Sequence, residues 1–165
     1  ALDHLGVRWA RSLPSNEEIE SAREEYQRLF HAHEQNDWLV HMREVALEVM
    51  RRLQTFNPRL VGPVLSGSAD KHSRVDLHIC ADPTELFGHF LNAESIPHRL
   101  SQKRLRLGPD RYDEFPAYQF VADDVPIEVI VFDSISVKQP PLSPVNGRPM
   151  SRAKLKQVAA LAAGP

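Results

Sequence analysis

The first third of the chain repeats its apolar side chains at the spacing of helices. Ser15 and Glu18 form the pattern of a capping box, in which each side chain accepts the other residue's backbone amide proton. Behind this box, apolar residues recur on one helical face, namely Ile19, Ala22, Tyr26, Leu29 and Phe30. A second periodic run contains Leu39, Met42, Val45, Ala46, Val49, Met50 and Leu53. Residues 15–56 are therefore predicted to form two helices, or one long kinked helix.

From residue 60 onward the pattern changes to that of short strands. Leu60 to Leu65 is apolar and favours a strand that ends at Ser66-Gly67-Ser68. Residues 75–79 alternate strictly between apolar and polar, which indicates a strand with two different faces. Further strands are predicted at residues 99–107, 118–121 and 127–132, the last two joined by a hairpin-like connection at 123–126.

Two more helices and a linker complete the predicted elements. Asp82-Pro83-Thr84-Glu85 has the pattern of a helix start with Pro83 at the first helical position. A proline-rich linker, residues 139–149, leads to Ser151, a favourable cap for a last helix that carries Leu155 and Val158. Because the segment after the linker cannot form its own core, the chain is predicted to be one domain.

Strands interleaved with helices predict an α/β (α+β) fold with a mixed sheet of about five strands. The single domain, residues 1–165, then consists of N-terminal helices at 15–56, a core at 60–133, and a linker and helix at 139–163. The N-terminal helices and the helix from Pro83 are expected on one side of the sheet. The order of the elements thus gives the fold class, and the candidate catalytic and binding residues are expected on the sheet.

Composition narrows the class of protein. The chain has 165 residues, of which 42% are hydrophobic and 25% charged, as in an ordinary globular domain. The formal net charge of −2 excludes a general basic field of the kind that drives nonspecific nucleic-acid binding. A single cysteine, Cys80, cannot form an internal disulfide, and no segment has the apolar length of a membrane span. We therefore expect a cytoplasmic protein that does not act at a membrane.

Polar residues that could take part in catalysis or ligand binding interrupt this apolar pattern at three places. Asp76 and His78 share the polar face of one strand, so their side chains can converge on one ligand. Gly67-Ser68 opens a loop with cationic side chains, and a glycine, a hydroxyl and nearby cations suit phosphate oxygens. Glu128 lies within an otherwise apolar strand, where a buried carboxylate needs a partner. Taken one by one, each feature is also compatible with a turn or a solvated strand face.

Together, the segments Leu65-Ser66-Gly67-Ser68, Arg74 to Ile79 and Pro126 to Val129 resemble the motifs of the DNA polymerase beta-like nucleotidyltransferases. That family has Gly-Ser at the end of a first strand, an acidic-x-acidic pair on the next, and a third acid on a later strand. The resemblance covers about residues 60–132. It implies a nucleotidyltransferase-like fold that binds a nucleoside triphosphate and divalent metal, magnesium or manganese.

The resemblance also implies a role for each matched residue. Asp76, His78 and Glu128 would hold metal, with Asp76 and Glu128 the catalytic acids, and Glu128 would help to deprotonate the acceptor. The residues expected to bind phosphates are Gly67, Ser68, Lys71 and Arg74. The reaction would transfer a nucleotidyl group to a hydroxyl or amine acceptor, on RNA or on a protein among other substrates.

This sequence departs from the family pattern at two acids. His78 stands in place of the second acid, and the third acid is Glu128 rather than the more usual aspartate. Imidazole is a poor substitute for the hard oxygen ligands that magnesium prefers. Three outcomes are open: one bound ion, a softer metal such as manganese or zinc, or loss of catalysis with binding retained. The alternative function is thus a catalytically inactive binding module of the same fold, which acts on a protein or RNA partner.

A basic stretch at residues 99–106 is a separate candidate surface. On a strand, Arg104 and Arg106 would share one face, whereas Lys103 would lie with Leu105 and Leu107 or at the rim. Such a ribbon could guide an anionic substrate or RNA. It could equally be a solvated strand face balanced by nearby acids.

Overall fold

The computed structural model describes the backbone of residues 15–30 and 34–164, and the side chains of residues 15–23 and 37–164. The side chains at the predicted apolar positions Tyr26, Leu29 and Phe30, and the junction between the first two helices at residues 31–33, lie outside these limits. The predicted capping box at Ser15 and the second periodic run, residues 39–53, lie within them.

Two helices open the described chain, α1 (Asn16–Phe30) and α2 (Glu34–Arg52). The predicted capping box is confirmed, because Glu18 N donates to Ser15 Oγ at 3.1 Å and Ser15 N donates to Glu18 Oε2 at 3.0 Å. A short 3₁₀ turn, Gln54–Phe56, follows α2. Across the described residues, no helix has both the length and the apolar character needed to cross a bilayer.

The strands form one mixed sheet, which confirms the predicted α+β class with five strands. They are β1 (Arg59–Val61), β2 (Val75–Cys80), β3 (Arg99–Gly108), β4 (Arg111–Ala122) and β5 (Val125–Phe132). Their order in the sheet is β1-β2-β5-β4-β3. β2 and β5 run parallel, and the other neighbours are antiparallel. The predicted hairpin connection is a tight turn at Asp123-Asp124, where both residues have positive φ.

The first strand is shorter than predicted. β1 ends at Val61, and a short helix, α3 (Pro63–Ser66), replaces the second half of the predicted strand. Pro63 has no amide hydrogen to donate to a strand ladder, and Gly62 adopts a φ of 77° that turns the chain. Gly67 therefore caps α3 in a left-handed conformation, so the prediction that Gly67-Ser68 ends a strand is wrong.

The last two helices begin later than predicted. α4 (Glu85–Ala93) starts at Glu85 rather than at Pro83, and α5 (Leu155–Ala162) is not capped by Ser151. The backbone of Ala153 is extended and paired with Leu60, so the helix cannot form until that pairing ends. Local capping signals predicted the helices, but this long-range pairing sets the start of α5.

The main hydrophobic core lies on one face of the sheet. The apolar side of β2 packs there with α2, α4 and α5, which confirms the expected placement of α2 and α4. Its members from β2 are Val75, Leu77 and Ile79, and those from α4 are Phe87 and Leu91. A smaller apolar cluster of Leu107, Phe115, Ala117, Ile130 and Phe132 lies on the opposite face. That opposite face also carries the polar residues singled out in the sequence.

We predict that Phe87→Ala destabilises the protein by about 3–5 kcal/mol, because Phe87 is fully buried and contacts other rings. Leu86 is the matched control: it is the neighbouring residue of α4 and is 44% exposed. Leu86→Ala should change the free energy of unfolding by about 0.5 kcal/mol or less. Urea unfolding followed by circular dichroism measures both. Equal losses in the two variants would contradict the packing of α4 against the main core.

Candidate functional site

The register between β2 and β5 brings the two acids of the predicted site together. Asp76 pairs with Glu128 across the parallel strands, so both side chains lie on the same face of the sheet. His78, two residues further along β2, lies on this face as well and pairs with Ile130. The three residues that the sequence singled out thus share the face opposite the main core.

Two cationic side chains pair with these acids. Arg74 donates from Nε to Asp76 Oδ1 at 2.8 Å and from Nη2 to Glu128 Oε1 at 3.2 Å, so it bridges both carboxylates. Lys103 of β3 donates from Nζ to the same Glu128 oxygen at 2.7 Å. Burial raises the pKa of Asp76 above its ordinary value, and the charge of Arg74 offsets only part of this. Because each carboxylate accepts a hydrogen bond from at least one cation, both acids are held in ion pairs.

Glu128 is the more deeply buried acid, with 6% of its surface exposed. Its second oxygen, Oε2, accepts a hydrogen bond of 3.2 Å from Gln119 Nε2, and this amide also donates to Ser101 Oγ. Burial acts to raise the pKa of Glu128. The hydrogen bond from Lys103 and the charges of Arg74 and Lys103 outweigh burial, so the pKa lies below its usual value. Both oxygens of this buried carboxylate thus have donors.

A cavity of about 600 Å³ lies over this face of the sheet. Its polar lining on the side of the sheet comes from Ser66, Ser68, Arg74, Asp76, His78 and Lys103. Residues 142–146 and 149–151 line the opposite side, with apolar groups such as those of Leu142 and Met150. The cavity therefore has one charged wall and one largely apolar wall.

Residues 139–153, which we name the C-terminal strap, cross the sheet face and form the outer wall of the cavity. At one end Leu142 N donates to Arg106 O of β3 at 2.8 Å. At the other end Ala153 and Leu60 of β1 exchange two backbone hydrogen bonds of 2.9 Å each. The strap is thus attached to both edge strands, and the segment predicted as a linker is part of the site.

His78 is held at the base of the cavity by Arg152. Arg152 Nε donates to His78 Nδ1 at 2.9 Å, and the imidazole packs against Phe132 with ring centres 4.9 Å apart. Burial lowers the pKa of His78 to about 3, and the positive charges of Arg152 and Lys103 act in the same direction. The imidazole is neutral at physiological pH. Because guanidinium can only donate, Nδ1 carries the lone pair and the ring proton is on Nε2.

The residues expected to bind phosphates are only partly brought to the cavity. Ser68 and Arg74 line it, whereas Gly67 and Lys71 are not among its lining residues. Gly67 lies instead beside the guanidinium of Arg43 of α2, which donates to the carbonyl oxygens of α3. Lys71 is exposed in the loop before β2. The structure therefore does not place Gly67 where it could contact a phosphate in the cavity. The role of Lys71 stays a prediction.

Three residues of the site were not assigned to it from the sequence. Lys103 was assigned to the basic stretch. Its predicted position on the same strand face as Leu105 is confirmed, and on this face its ammonium group reaches Glu128. That face was the signal in the sequence that could have assigned Lys103 to the site. Gln119 pairs with Glu128 across β4 and β5, in the register set by the two-residue turn at Asp123-Asp124, which is shorter than the connection predicted at residues 123–126. Gly62 leaves space for Asp76, since a Cβ at position 62 would lie 2.9 Å from Asp76 Oδ2. The Gly62-Pro63 dipeptide is a turn signal that could have identified this residue.

The donor set does not fit a two-metal centre as it is arranged. Asp76 and Glu128 supply the oxygen ligands that magnesium prefers, but both already pair with cations. His78 offers no lone pair, because Nδ1 accepts from Arg152 and Nε2 is protonated. In the part of the chain that the structure describes, no group of three or more His, Cys, Asp or Glu residues is placed to hold a metal ion. Metal binding by Asp76, His78 and Glu128 stays a prediction that this geometry does not favour.

Comparison with protein-family models and with curated proteins finds no match to the chain. The likeness to nucleotidyltransferases therefore depends on the motifs in the sequence alone, and the function is argued from the geometry of the cavity.

We predict that Gly62→Ala destabilises the protein by about 2–4 kcal/mol, through a strained backbone and a clash with Asp76. Gly147→Ala is the matched control, because Gly147 has a similar φ of 71° but nothing within 4 Å of an added Cβ. It should cost only the strain, about 1–2 kcal/mol. Urea unfolding of both variants measures the difference. An equal cost would mean that Asp76 does not occupy the space beside Gly62.

We predict that Glu128→Gln lowers stability at pH 7 by about 1–2 kcal/mol, since its partly exposed ion pairs are screened by solvent. The folded pKa of Glu128 is depressed, so its contribution is present above the ordinary value of 4.5 and is lost as the pH falls through the folded pKa. The advantage of the wild type should therefore shrink between pH 5 and pH 3. Urea midpoints across this range test it, with the exposed Glu114→Gln as control. An advantage that stays constant with pH would contradict the ionised pairing.

Proposed function

We propose that this chain is a nucleotidyltransferase-like domain that binds the phosphates of a nucleoside triphosphate in the cavity beneath the C-terminal strap. The observation that carries the proposal is the charge balance of the cavity wall. Two cations, Arg74 and Lys103, line the cavity against one carboxylate, Asp76, and the opposite charges of Arg152 and Glu128 lie behind this lining. His78 is neutral. The wall has an excess of positive charge, which favours an anion over a metal cation.

Hydrogen-bond donors remain for such an anion after the ion pairs are formed. Arg74 has five N–H groups and Lys103 has three. Arg74 uses two donors on the carboxylates and Lys103 uses one. The hydroxyl groups of Ser66 and Ser68, 2.9 Å apart, line the same cavity. Cations with free donors beside hydroxyl groups suit the oxygens of a polyphosphate.

In this proposal the carboxylates have a structural purpose, because they hold the cations in place before the ligand arrives. Asp76 and Glu128 fix the guanidinium of Arg74 at two points. Glu128 also fixes Lys103. A side chain that is already ordered loses little conformational entropy when it binds, so the affinity for phosphate rises.

The size and the apolar wall of the cavity accommodate the rest of a nucleotide. Its volume of about 600 Å³ lies within the range of small-molecule sites. Leu105 on the sheet, with Leu142, Val145 and Met150 on the strap, offers apolar surface away from the charged wall. A base and sugar would pack there while the phosphates contact the cations.

Calorimetric titration with ATP and GTP, with and without magnesium, tests the proposal. Lys103→Met should weaken binding about tenfold or more, because it removes a charged donor to phosphate. Ser68→Ala, which disturbs no ion pair, should weaken it several-fold. Lys156→Met is the matched control, since Lys156 is exposed on α5 and does not line the cavity. Equal effects of Lys156→Met and Lys103→Met, or no effect of Lys103→Met and Ser68→Ala, would overturn the proposed site.

The second candidate is an active metal-dependent nucleotidyltransferase, and the register of Asp76 beside Glu128 is the observation that favours it. Pyrophosphate release from labelled nucleoside triphosphates, with magnesium or manganese, separates the two functions. We expect no turnover. Turnover that Glu128→Ala abolishes would establish the transferase, and the acids would then have to exchange their cationic partners for metal. Binding of the triphosphate without turnover is the outcome that our proposal requires.

A further inference from the structure

Among the described residues, His78 and Glu128 are the two buried polar side chains. The hydrogen bonds of Glu128 account for both of its oxygens. His78, with only 2% of its surface exposed, accepts one hydrogen bond at Nδ1 and also lines the cavity. Its other ring nitrogen, Nε2, is therefore the atom that can form a hydrogen bond with a ligand in the cavity.

Arg152, which donates to His78, is fixed from several directions. Its Nη1 donates to the backbone oxygen of Val137, and its guanidinium carbon lies 4.8 Å from the ring centre of Phe132. The next residue, Ala153, is tied to Leu60 of β1 by two backbone hydrogen bonds. This guanidinium consequently has little freedom to leave the imidazole.

A fixed guanidinium beside Nδ1 determines the tautomer of His78. The other neutral tautomer would place an N–H on Nδ1 against an Arg152 donor, and this would leave two donors facing each other without an acceptor. A protonated imidazole would add a second positive charge beside Arg152 in a buried position. Only the neutral ring with its proton on Nε2 satisfies the contact.

We propose that Arg152 is a positioning residue that holds His78 in the Nε2–H form, so that His78 donates a hydrogen bond to a phosphate oxygen in the cavity. This inference rests on the proposed function and assigns a further residue to that same site. It gives His78 a role in binding an anion, and not that of a metal ligand or a general base. Arg152 acts through His78, since it does not line the cavity itself.

The tautomer is measured directly by nitrogen-15 NMR of the full chain with labelled histidine, at pH 7. His78→Gln assigns the His78 signals by their loss. The wild type should show a protonated Nε2 and an unprotonated Nδ1. Arg152→Met should give a mixture of tautomers, and Arg152→Lys, which keeps a donor near Nδ1, should restore the wild-type form. A protonated Nδ1 in the wild type would overturn the proposal.

Binding is measured by calorimetry with inorganic triphosphate and with ATP as probes. Arg152→Met should weaken both by about three- to fivefold, because a ring that shares its proton between both nitrogens presents the Nε2–H donor only part of the time and the nearby positive charge is lost. Arg152→Lys should recover most of the affinity. Arg148→Met is the matched control, since Arg148 is an exposed arginine of the same strap, and it should leave the affinity within about twofold.

His78 variants provide a second route that does not depend on Arg152. His78→Gln can place an amide N–H near the position of Nε2 and should bind within about threefold of the wild type. His78→Leu has a similar apolar bulk without a donor and should lose about tenfold. An affinity unchanged in both His78→Leu and Arg152→Met, in a wild type that binds triphosphate, would overturn this inference alone. Failure of the wild type to bind either probe would overturn it together with the proposed function.

Discussion

β2 and β5 run parallel at the centre of the sheet, and their register sets Asp76 directly beside Glu128. Two neighbouring carboxylates on a half-buried surface repel each other and cannot both remain ionised without cations. Arg74 supplies one cation from the residue that precedes β2, and Lys103 supplies the other from β3. The β3–β4 hairpin is thereby tied electrostatically to the central strands as well as by its backbone.

The charged face created by Asp76 and Glu128 also explains the position of the C-terminal strap. Helices cover the apolar face of the sheet, so the charged face needs a cover that leaves room around its ion pairs. The strap provides this cover by attaching to both edge strands, at Arg106 and Leu60. Arg152 then reaches inward to His78 and packs on Phe132. The strap and the charged face of the sheet enclose one cavity, and residues 142–146 and 149–151 of the strap line it as directly as the residues of the sequence motifs do.

Local patterns in the sequence predicted the parts of this site that depend on one strand at a time. Strict alternation over residues 75–79 placed Asp76 and His78 on one face, and an acid within an apolar strand identified Glu128. The parts that local patterns missed depend on pairing between distant segments. Lys103 reaches the acids only because β3, β4 and β5 are aligned, and the extended backbone at Ala153 exists only because Leu60 pairs with it. Periodicity tells which face of a strand a side chain takes but not which distant segment the strand pairs with, so these contacts could not be derived from it.

In our proposal, the residue at position 78 decides which ion the cavity suits. An acid there, as the resemblance leads one to expect, would lie within reach of Arg152 and would cancel its charge. Three cations would then face three carboxylates, and displacement of the cations by metal would leave a site of oxygen ligands. With His78 the charge of Arg152 is not cancelled, and the imidazole converts this guanidinium contact into an N–H donor at the cavity wall. In our proposal, an imidazole instead of a carboxylate at position 78 thus leaves an excess of positive charge at the cavity, which favours phosphates over metal cations.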